Sequence, residues 1–298
     1  MRHFLDISVI ERSELRDILA RGVALKNDSS PKPKPMKDRT LVMIFEKPST
    51  RTRVSFQVAM QQLGGMVVTL DETDSQIGRG ETLADTAQVL SRYADLIMIR
   101  TDNHQKLMEL AEYSTVPVIN GLTDFSHPCQ ILADIMTFEE HRGDIAHRTV
   151  AWTGDGNNVS HSWIHAATKF GFPLRLACPS SLCPNDSLIA EARAAGANIT
   201  MTENPIDAVR NADLVVTDTW ISMGTQEVDQ RRQALLPFQV NDALMAEAAD
   251  DALFMHCLPA HRGNEVMSSV IDGPQSVIWD EAENRLHVQK GILAWCLE

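Results

Sequence analysis

Three hydroxyl side chains and three cations stand close together in the segment Lys47–Arg53, which reads Lys-Pro-Ser-Thr-Arg-Thr-Arg. Hydroxyl and guanidinium groups are strong donors to phosphate oxygens. The segment follows the apolar run Leu41–Phe45 and precedes a helical pattern with Phe56 and Leu63 on one face. At a helix start, free backbone N–H groups and the helix dipole favour an anion. The sequence therefore predicts a phosphate-binding helix start.

A simpler interpretation of this segment is that Ser49 only caps the helix and that Arg51 and Arg53 are solvated. However, Pro48 constrains the approach, and Arg alternates with Thr through the first turn. The segment thus offers more donors than a cap requires. It also differs from a Walker loop, because it has no Gly-rich turn. We favour the phosphate site, formed by Ser49, Thr50, Arg51, Thr52 and Arg53.

The composition argues against several classes of function. The 298-residue chain has a formal net charge of -13 at pH 7, and broad binding to nucleic acid depends on many Lys and Arg contacts to phosphates. No run approaches the roughly eighteen apolar residues of a membrane span, and the first residues lack the apolar core of a signal peptide. We therefore expect a cytoplasmic protein without nucleic-acid or membrane partners.

The five cysteines are scattered through the chain. An odd number in a protein of this size favours reduced thiols over a disulfide framework. We expect Cys129, Cys178, Cys183 and Cys296 to pack in the interior. Structural zinc at Cys178 and Cys183 is disfavoured, because no second ligand pair stands nearby.

Short apolar runs alternate with helical stretches along most of the chain, which is typical of parallel sheets covered by helices. We predict an α/β fold with two domains, each a mainly parallel sheet flanked by helices. The predicted strands are Leu41–Phe45, Met66–Leu70, Leu96–Arg100 and Val116–Asn120, followed by Thr149–Thr153, Leu174–Cys178, Ile199–Thr202, Leu214–Thr217 and Leu253–His256.

Two helical stretches define the domain boundaries. Cys129–His141 is interpreted as the connector, ended by Gly143 in a position suited to a left-handed cap. Asn284–Cys296 is predicted to be a C-terminal helix. We expect a first domain of residues 1–133, with residues 284–298 packing back on it, and a second domain of residues 134–283.

The sequence Ser-Thr-Arg-Thr-Arg at Ser49–Arg53 resembles the carbamoyl-phosphate signature of the aspartate and ornithine carbamoyltransferase family. His127-Pro128-Cys129-Gln130 is similar to the His-Pro-x-Gln element of the same family. Further matches follow in the family's order, so the resemblance covers nearly the whole chain. It implies that the first domain binds carbamoyl phosphate and that the second binds ornithine.

The resemblance also implies how the donor substrate is bound. Arg100 and His127 would donate to the carbamoyl oxygen together with Thr52, in the manner of an oxyanion hole. Ser75-Gln76 is similar to a loop that reaches the carbamoyl phosphate of a neighbouring subunit. Arg285 matches a C-terminal family arginine, but it stands at the start of the predicted helix and could equally be solvated. The implied carbamoyl-phosphate residues are Ser49, Thr50, Arg51, Thr52, Arg53, Gln76, Arg100, His127, Gln130, Cys257, Leu258 and Arg285.

Two segments resemble the ornithine branch of the family: His256-Cys257-Leu258-Pro259, and the stretch from Asp218 to Ser222-Met223-Gly224. An acidic residue suits a substrate with two amines, whereas aspartate requires cationic partners. The implied ornithine residues are Asn158, for the α-carboxylate, with Asp218, Ser222 and Met223. The implied catalytic residues are Cys257, Arg100, His127 and Asp218. The histidines and Cys257 lack a fourth ligand, so we expect no metal.

The implied reaction is direct attack of an amine on carbamoyl phosphate, without a cofactor or a covalent enzyme intermediate. The resemblance further implies a homotrimer, or a multiple of trimers, with shared active sites. Other interpretations are a carbamoyltransferase for putrescine or an acylated ornithine, and a non-catalytic homologue that binds carbamoyl phosphate. A dehydrogenase that binds NAD is a further alternative, because Gly154–Val159 partly matches a dinucleotide fingerprint whose third glycine is replaced by Val159.

Overall fold

The computed structural model describes residues 1–27, 34–71, 80–221 and 228–298. These residues form two compact units. The first unit consists of Met1–Met136 and Glu283–Glu298, and the second consists of Thr137–Ala282. The chain passes between the units inside two helices, Pro128–Arg142 and Ile278–Cys296.

The first unit contains a parallel sheet among its described residues. Its strands are β1 Thr40–Phe45, β2 Met66–Asp71, β3 Leu96–Arg100 and β4 Val118–Leu122. They lie in the order β2-β1-β3-β4, and each neighbouring pair is parallel. β1 and β3 are buried along nearly their whole length, which accounts for their continuous apolar sequences. β2 lies at an edge, where Met66 and Val68 are exposed.

The second unit also contains a parallel sheet. Its strands are β5 Val150–Thr153, β6 Leu174–Ala177, β7 Ile199–Thr202, β8 Leu214–Thr217 and β9 Leu253–His256. They lie in the order β7-β6-β5-β8-β9 and are parallel throughout. All four residues of β5 and β8 are buried, as expected for inner strands of such a sheet, and the edge strand β9 is buried as well.

Helices alternate with the strands in both units, as predicted. They are α1 Arg12–Asn27, α2 Thr50–Gln62, α3 Leu83–Leu90, α4 His104–Tyr113, α5 Pro128–Arg142, α6 Asn158–Phe170, α7 Asp186–Ala194, α8 Pro205–Val209, α9 Val228–Leu235, α10 Asp242–Met245, α11 Ser268–Ile271 and α12 Ile278–Cys296. None of the helices in the described ranges is both long and apolar enough for a bilayer crossing.

In each sheet the order of the strands reverses beside one central strand. β2 and β3 lie on opposite sides of β1, and β6 and β8 lie on opposite sides of β5. Ligands of open parallel sheets bind at such a switch point, beyond the carboxyl ends of the strands. In the first unit Lys47–Arg53 follows β1, and Arg100 ends β3. In the second unit Gly154–Asn158 follows β5, and Asp218 follows β8. The segments predicted to do chemistry therefore stand at the two switch points.

The predicted α/β fold is confirmed, and one strand is displaced. The sequence predicted Val116–Asn120, whereas β4 spans Val118–Leu122. Pro117 has no N–H group to donate to a ladder, so the strand begins after it. The other predicted strands agree with the structure to within one residue.

The C-terminal helix begins earlier than predicted. Instead of Asn284, its first residue is Ile278, and Asp280 and Glu281 lie in its first turn, where they complement the helix dipole. Arg285 consequently lies about two turns inside α12 and is only 3% exposed. The interpretation of Arg285 as a solvated residue at a helix start is wrong, because exposed Trp279 and buried Glu281 interrupt the amphipathic pattern of the first turn of the helix.

The cysteines are free, and three of the four that were expected to be internal are buried: Cys129, Cys178 and Cys296. The prediction is wrong for Cys183, which is exposed after the short 3-10 helix Ser180–Leu182. Burial raises the pKa of the Cys129 thiol to about 12, so this thiol is not ionised at neutral pH.

Candidate functional site

The helix start predicted to bind phosphate is formed by the turn between β1 and α2. Ser49 is the N-cap of α2, and its hydroxyl oxygen accepts a hydrogen bond from the Thr52 N–H at 3.2 Å. The capping role foreseen for Ser49 is therefore real. It leaves the hydroxyl hydrogen of Ser49 available as a donor. Thr50 and Arg51 are exposed at the same turn, so the segment still presents donors beyond those that the cap uses.

The hydroxyl group of Thr52 is the meeting point of two arginines. Its oxygen accepts hydrogen bonds from Arg100 Nη1 at 3.2 Å and from Arg285 Nη2 at 3.3 Å. A hydroxyl oxygen has two acceptor positions, so the Thr52 hydrogen is directed elsewhere as a donor. Arg100 lies where the pairing of β3 with β4 shifts register between Ile99 and Arg100, an irregularity of the kind that re-aims side chains near sites.

Gln130 holds Arg285 from the other side. Arg285 Nη1 donates to Gln130 Oε1 at 2.5 Å, and Gln130 Nε2 donates to Asp134 Oδ1 at 2.8 Å. All three side chains are buried. The chain of hydrogen bonds from Asp134 through Gln130 fixes the guanidinium of Arg285 against Thr52. Four residues that were predicted to bind carbamoyl phosphate, Thr52, Arg100, Gln130 and Arg285, thus form one cluster of donors in the first unit.

His127 stands in the electrostatic field of the same cluster. It is buried, and burial lowers the pKa of its imidazole well below the usual 6.5. The positive charges of Arg285, Arg100 and Arg51 lower this pKa further, in that order. His127 is therefore neutral at physiological pH. A neutral imidazole can donate one hydrogen bond without adding charge.

Two cations of the predicted segment have partners within the first unit. The guanidinium of Arg53 forms an ion pair with Asp71 and lies 4.5 Å from the centre of the Phe45 ring. Lys47 Nζ lies 3.1 Å from Asp102 Oδ2, and this contact lowers the pKa of the Asp102 carboxyl. Arg51 differs from Arg53 and Lys47 because it is exposed in the first turn of α2.

Three predicted binding residues, Gln76, Ser222 and Met223, lie outside the described residues, as does Ser75. Their roles stay predictions from the resemblance.

The carboxylate of Asp218 is the centre of the candidate site in the second unit. It follows β8 and is 7% exposed. Asp218 Oδ2 accepts a hydrogen bond from Asn157 Nδ2 at 2.8 Å, and Asp218 Oδ1 accepts one from Cys257 Sγ at 3.1 Å. Asn157 and Cys257 follow β5 and β9, the strands on either side of β8. Adjacent strands thus bring together three side chains that are far apart in sequence.

The sequence singled out Asn158 rather than its neighbour Asn157. Asn158 is the first residue of α6 and is half-buried, and its carbonyl oxygen accepts a hydrogen bond from the Ser162 hydroxyl at 3.0 Å. Asn157 is the N-cap of α6 and the residue that contacts Asp218. The available signal was its position just before a helix, where Asn is a favoured cap.

The Cys257–Leu258 segment has an unusual backbone. Leu258 has a φ of 58°, in the left-handed region that costs a non-glycine residue roughly 1–2 kcal/mol. Its N–H donates to His256 Nδ1 at 2.9 Å, and His256 Nε2 lies 3.3 Å from Glu265 Oε1. Strain of this size persists where surrounding contacts determine the conformation, and it is concentrated at functional sites.

Asp218, His256 and Cys257 are also the candidate metal ligands among the described residues, with one ligand atom from each within 4.8 Å of the others. Both ring nitrogens of His256 already have hydrogen-bond partners, Leu258 and Glu265. Binding a metal through His256 would break one of these contacts. The chemistry of this set therefore fits a hydrogen-bonded carboxylate better than a metal centre.

An ion pair stabilises the turn after β5, and the sequence did not predict this pair. Arg231 of α9 forms an ion pair with Asp155, and its Nε donates to the Trp220 carbonyl oxygen at 3.0 Å. Burial raises the pKa of the Asp155 carboxyl, and the charge of Arg231 opposes that shift. The pair ties the turn that holds Asn157 to the segment that follows Asp218.

The glycine-rich turn Gly154–Asn158 does not resemble an open dinucleotide site. A Cβ atom at Gly156 would lie 2.3 Å from the backbone nitrogen of Pro184, and the Gly156 N–H donates to the Leu182 carbonyl at 2.7 Å. The Val159 N–H is capped by Asn157 Oδ1 at 2.9 Å. The chain itself thus covers the groups that would hold a pyrophosphate, which disfavours the dehydrogenase interpretation.

Lowering the pH should destabilise the protein through His127. The unfolded chain protonates this residue near pH 6.5, whereas the folded form keeps it neutral. The unfolded state therefore binds more protons below about pH 6.5, so the free energy of unfolding falls as the pH decreases from about 6.5 towards the folded pKa. Above about pH 6.5 His127 is neutral in both states and no longer lowers the free energy of unfolding.

The measurement is urea unfolding at about pH 7.5 and about pH 5.5 for the wild-type protein and for His127→Asn. Burial also lowers the pKa of His3 and of His287, so the variant should lose only part of the pH dependence. An equal loss of stability in both proteins on acidification would contradict the assignment to His127.

Comparison with known families gives two matches that together span nearly the whole chain. A family model described as "Aspartate/ornithine carbamoyltransferase, carbamoyl-P binding domain" matches residues 2–140. A second, described as "Aspartate/ornithine carbamoyltransferase, Asp/Orn binding domain", matches residues 146–296.

Curated relatives and solved structures agree with these matches. A protein of Rhodopseudomonas palustris named ornithine carbamoyltransferase is 59% identical, with coverage of 99% of this chain and 97% of the relative. One of Nitrobacter winogradskyi with the same name is 60% identical, again over 99% of this chain and 97% of the relative. The solved ornithine carbamoyltransferase of Pyrococcus furiosus has a TM-score of 0.94 and 48% identity, over 99% of this chain and 97% of its own. That of Burkholderia thailandensis has a TM-score of 0.92 and 47% identity, over 100% and 99%.

Proposed function

The chain belongs to the aspartate/ornithine carbamoyltransferase family, and from this premise we propose that it transfers the carbamoyl group of carbamoyl phosphate to the δ-amine of L-ornithine, giving L-citrulline and phosphate. One observation carries the choice of acceptor: the buried carboxylate of Asp218 accepts a hydrogen bond from the Cys257 thiol at 3.1 Å. An anionic group suits an acceptor with a basic side chain, whereas aspartate needs cations for two carboxylates.

The first unit binds carbamoyl phosphate in this proposal. Ser49–Arg53 hold the phosphate with hydroxyl, backbone and guanidinium donors. Thr52, Arg100 and neutral His127 donate to the carbamoyl oxygen, where negative charge develops in the transition state. Support comes from the paired arginine contacts on Thr52 at 3.2 and 3.3 Å, which leave its hydrogen as a donor. Gln130 orients Arg285, and Gln76 completes the site by analogy with the family.

The second unit binds ornithine. Asn158 contacts the α-carboxylate, and Asp218 is the partner of the δ-amine, with Ser222 and Met223 as further contacts. A free alkyl amine has a pKa near roughly 10.4, so the neutral nucleophile costs about 4–5 kcal/mol at pH 7. Asp218 accepts the proton that the amine must lose, and Cys257, whose thiol donates to Asp218, helps to orient the amine. Cys257 and Leu258 also contact carbamoyl phosphate in the family pattern.

The proposed chemistry is direct transfer. The neutral amine nitrogen attacks the carbonyl carbon and forms the new C–N bond, and the proton that the nitrogen then loses passes to the oxygen of the departing phosphate. The tetrahedral intermediate then collapses, and the C–O bond to phosphate breaks with its electron pair leaving on phosphate. Carbamoyl phosphate is already activated, so no enzyme-bound carbamoyl group is required. The Cys257 thiol donates to Asp218 rather than standing as a free nucleophile.

The test is a competition among amines. Wild-type protein with carbamoyl phosphate should carbamoylate L-ornithine with a higher kcat/KM than putrescine, N-acetylornithine or aspartate, measured by product chromatography. Preference for putrescine or an acylated ornithine would overturn the acceptor. Absence of any carbamoylated product would favour a non-catalytic homologue, and a change in nicotinamide absorbance would favour a dehydrogenase.

We further propose that the protein is a homotrimer, or a multiple of trimers, in which Gln76 of one copy reaches the carbamoyl phosphate of its neighbour. The family resemblance supports this assembly, and so do exposed apolar side chains of the first unit. Met66 and Val68 on the edge strand β2 and Val54 on α2 are exposed, and association would bury such surface.

Five free cysteines fit the reducing cytoplasm, which is the location we propose.

Shared sites can be tested by mixing two impaired variants, Gln76→Ala and Arg285→Met, and assaying them at a carbamoyl-phosphate concentration near the wild-type Kd. After dissociation and reassembly of an equal mixture, about a quarter of the sites should combine an intact Gln76 with an intact Arg285. Activity should recover to about a quarter of the wild-type value. A monomer in sedimentation velocity, or no recovery in mixed assemblies, would contradict the shared site.

A further inference from the structure

Asn157 makes hydrogen bonds at both ends of its side-chain amide. Its Oδ1 accepts from the backbone N–H of Val159 at 2.9 Å and from that of Ser160 at 3.1 Å. Its Nδ2 donates to Asp218 Oδ2 at 2.8 Å. One end therefore caps α6, and the other end contacts the Asp218 carboxylate, the proposed partner of the δ-amine.

The orientation of this amide is determined by its partners. Backbone N–H groups are donors only, so the atom facing Val159 and Ser160 must be the oxygen. Reversing the amide would place NH2 against two donors and an oxygen against the Asp218 carboxylate, so that all three contacts become repulsive. The helix cap consequently forces an N–H donor onto Asp218.

The backbone of Asn157 is itself held by α6. Its carbonyl oxygen accepts from the Ser160 hydroxyl at 2.7 Å and from the His161 N–H at 3.0 Å. The turn before it is anchored by Trp152 Nε1, which donates to the Asp155 carbonyl at 3.0 Å. The donor aimed at Asp218 thus stands on a rigid support rather than on a free loop.

We propose that Asn157 is a positioning residue for the reaction: it engages Asp218 Oδ2 and so turns Asp218 Oδ1 towards Cys257 and the δ-amine of the acceptor. The inference rests on the proposed function. A carboxylate with one oxygen held by an amide loses rotational freedom about its side chain, and an oriented acceptor interacts more strongly with an amine than a mobile one does. Asn157 needs no contact with substrate in this role.

The hydrogen bonds to Val159 and Ser160 would be present even if Asn157 only capped α6. The test must therefore separate capping of α6 from the contact with Asp218. Asn157→Ser does this, because Ser is a good N-cap but its short side chain carries no N–H donor for Asp218. Asn185→Ser is the matched control: Asn185 caps α7 in the same unit through the Ser187 N–H at 2.9 Å.

The first measurement compares ornithine with norvaline, which is ornithine without the δ-amine. In Asn157→Ser, kcat/KM for ornithine should fall about 10- to 100-fold, as expected for loss of a hydrogen bond to a charged group. The inhibition constant of norvaline should change less than about twofold, and the Tm should stay close to that of Asn185→Ser. Wild-type kinetics in Asn157→Ser would overturn the proposal. So would a weakening of norvaline inhibition by the same factor as the fall in kcat/KM for ornithine.

The second measurement does not depend on turnover. Alkylation by iodoacetamide, followed residue by residue by mass spectrometry, reports on the Cys257 thiol that donates to Asp218. The rate at Cys257 should change at least about threefold in Asn157→Ser, while exposed Cys183 serves as an internal reference. An unchanged ratio of the two rates would overturn the inference even if the wild-type protein made no citrulline, whereas that lack of citrulline would separately refute the proposed function.

Discussion

Replacing Asp218 with Asn should lower kcat/KM for ornithine by about a thousandfold, because groups that orient an amine and manage its proton contribute about 10²–10⁴ in rate. One oxygen of the carboxylate accepts a hydrogen bond from the Asn157 amide, and the other accepts one from the Cys257 thiol. An amide at this position removes the negative charge and turns an NH2 group towards one of these two donors. Both effects act on the proposed ornithine site of the second unit.

Binding of carbamoyl phosphate should be nearly unchanged in Asp218→Asn, which calorimetry on the variant can check. Asp207→Asn is the matched control, since Asp207 is an exposed acidic residue in the first turn of α8 in the same unit. We expect it to retain wild-type kinetics. A fall of less than about tenfold in Asp218→Asn would refute the assignment of the amine to this carboxylate.

Arg285→Met should weaken carbamoyl-phosphate binding by about 10²- to 10³-fold in calorimetric titration. The guanidinium contacts Thr52 and Gln130 and is 3% exposed. Hydrogen bonds from charged donors are worth about 1.5–3 kcal/mol each, and about 3–4 kcal/mol corresponds to that change in Kd. Methionine fills much of the same volume, so the loss is electrostatic rather than a cavity effect.

A second arginine separates a specific effect from a change in overall charge. Arg92 is exposed after α3 in the same unit, and Arg92→Met should leave the Kd within about twofold of wild type. Arg285→Lys keeps the charge but loses the fork of N–H groups, so its defect should be intermediate. Equal affinities of Arg285→Met and wild type for carbamoyl phosphate would show that Arg285 does not contribute to the proposed carbamoyl-phosphate site.

The local structure of the proposed carbamoyl-phosphate site was largely predictable because much of it is encoded locally. A buried strand, a short turn with Ser49 as N-cap and an apolar helix face follow one another between Thr40 and Gln62. Strand periodicity, helix capping and the dipole at a helix start depend on neighbours in sequence. The helix start at Ser49–Arg53 and its cap could therefore be predicted before the sheet order was known.

Arg285 shows where this local reasoning failed. Its pattern suggested a helix start and an open environment, yet Arg285 lies inside α12 and is buried against other parts of the first unit. Its partners Thr52 and Gln130 are separated from it by 233 and 155 positions. Hydrogen bonds over such separations leave no periodic trace in the sequence, so only the packed unit reveals them.

The proposed ornithine site depends even more on tertiary structure. Asp218 and Cys257 could be selected only through the family resemblance, and the roles of Asn157 and of the Asp155–Arg231 pair were not foreseen. What joins these residues is the order β5-β8-β9, which places the ends of three strands side by side.

The sequence by itself determined the class of fold and the helix start with its hydroxyl and guanidinium donors after β1, because both arise from residues that are neighbours along the chain. Only the tertiary structure decided which side chains complete each site. Burial moves the pKa of His127 well below 6.5, and strand order brings Asn157, Asp218 and Cys257 within hydrogen-bonding distance. Desolvation and distance are properties of the packed chain, and no short segment contains them.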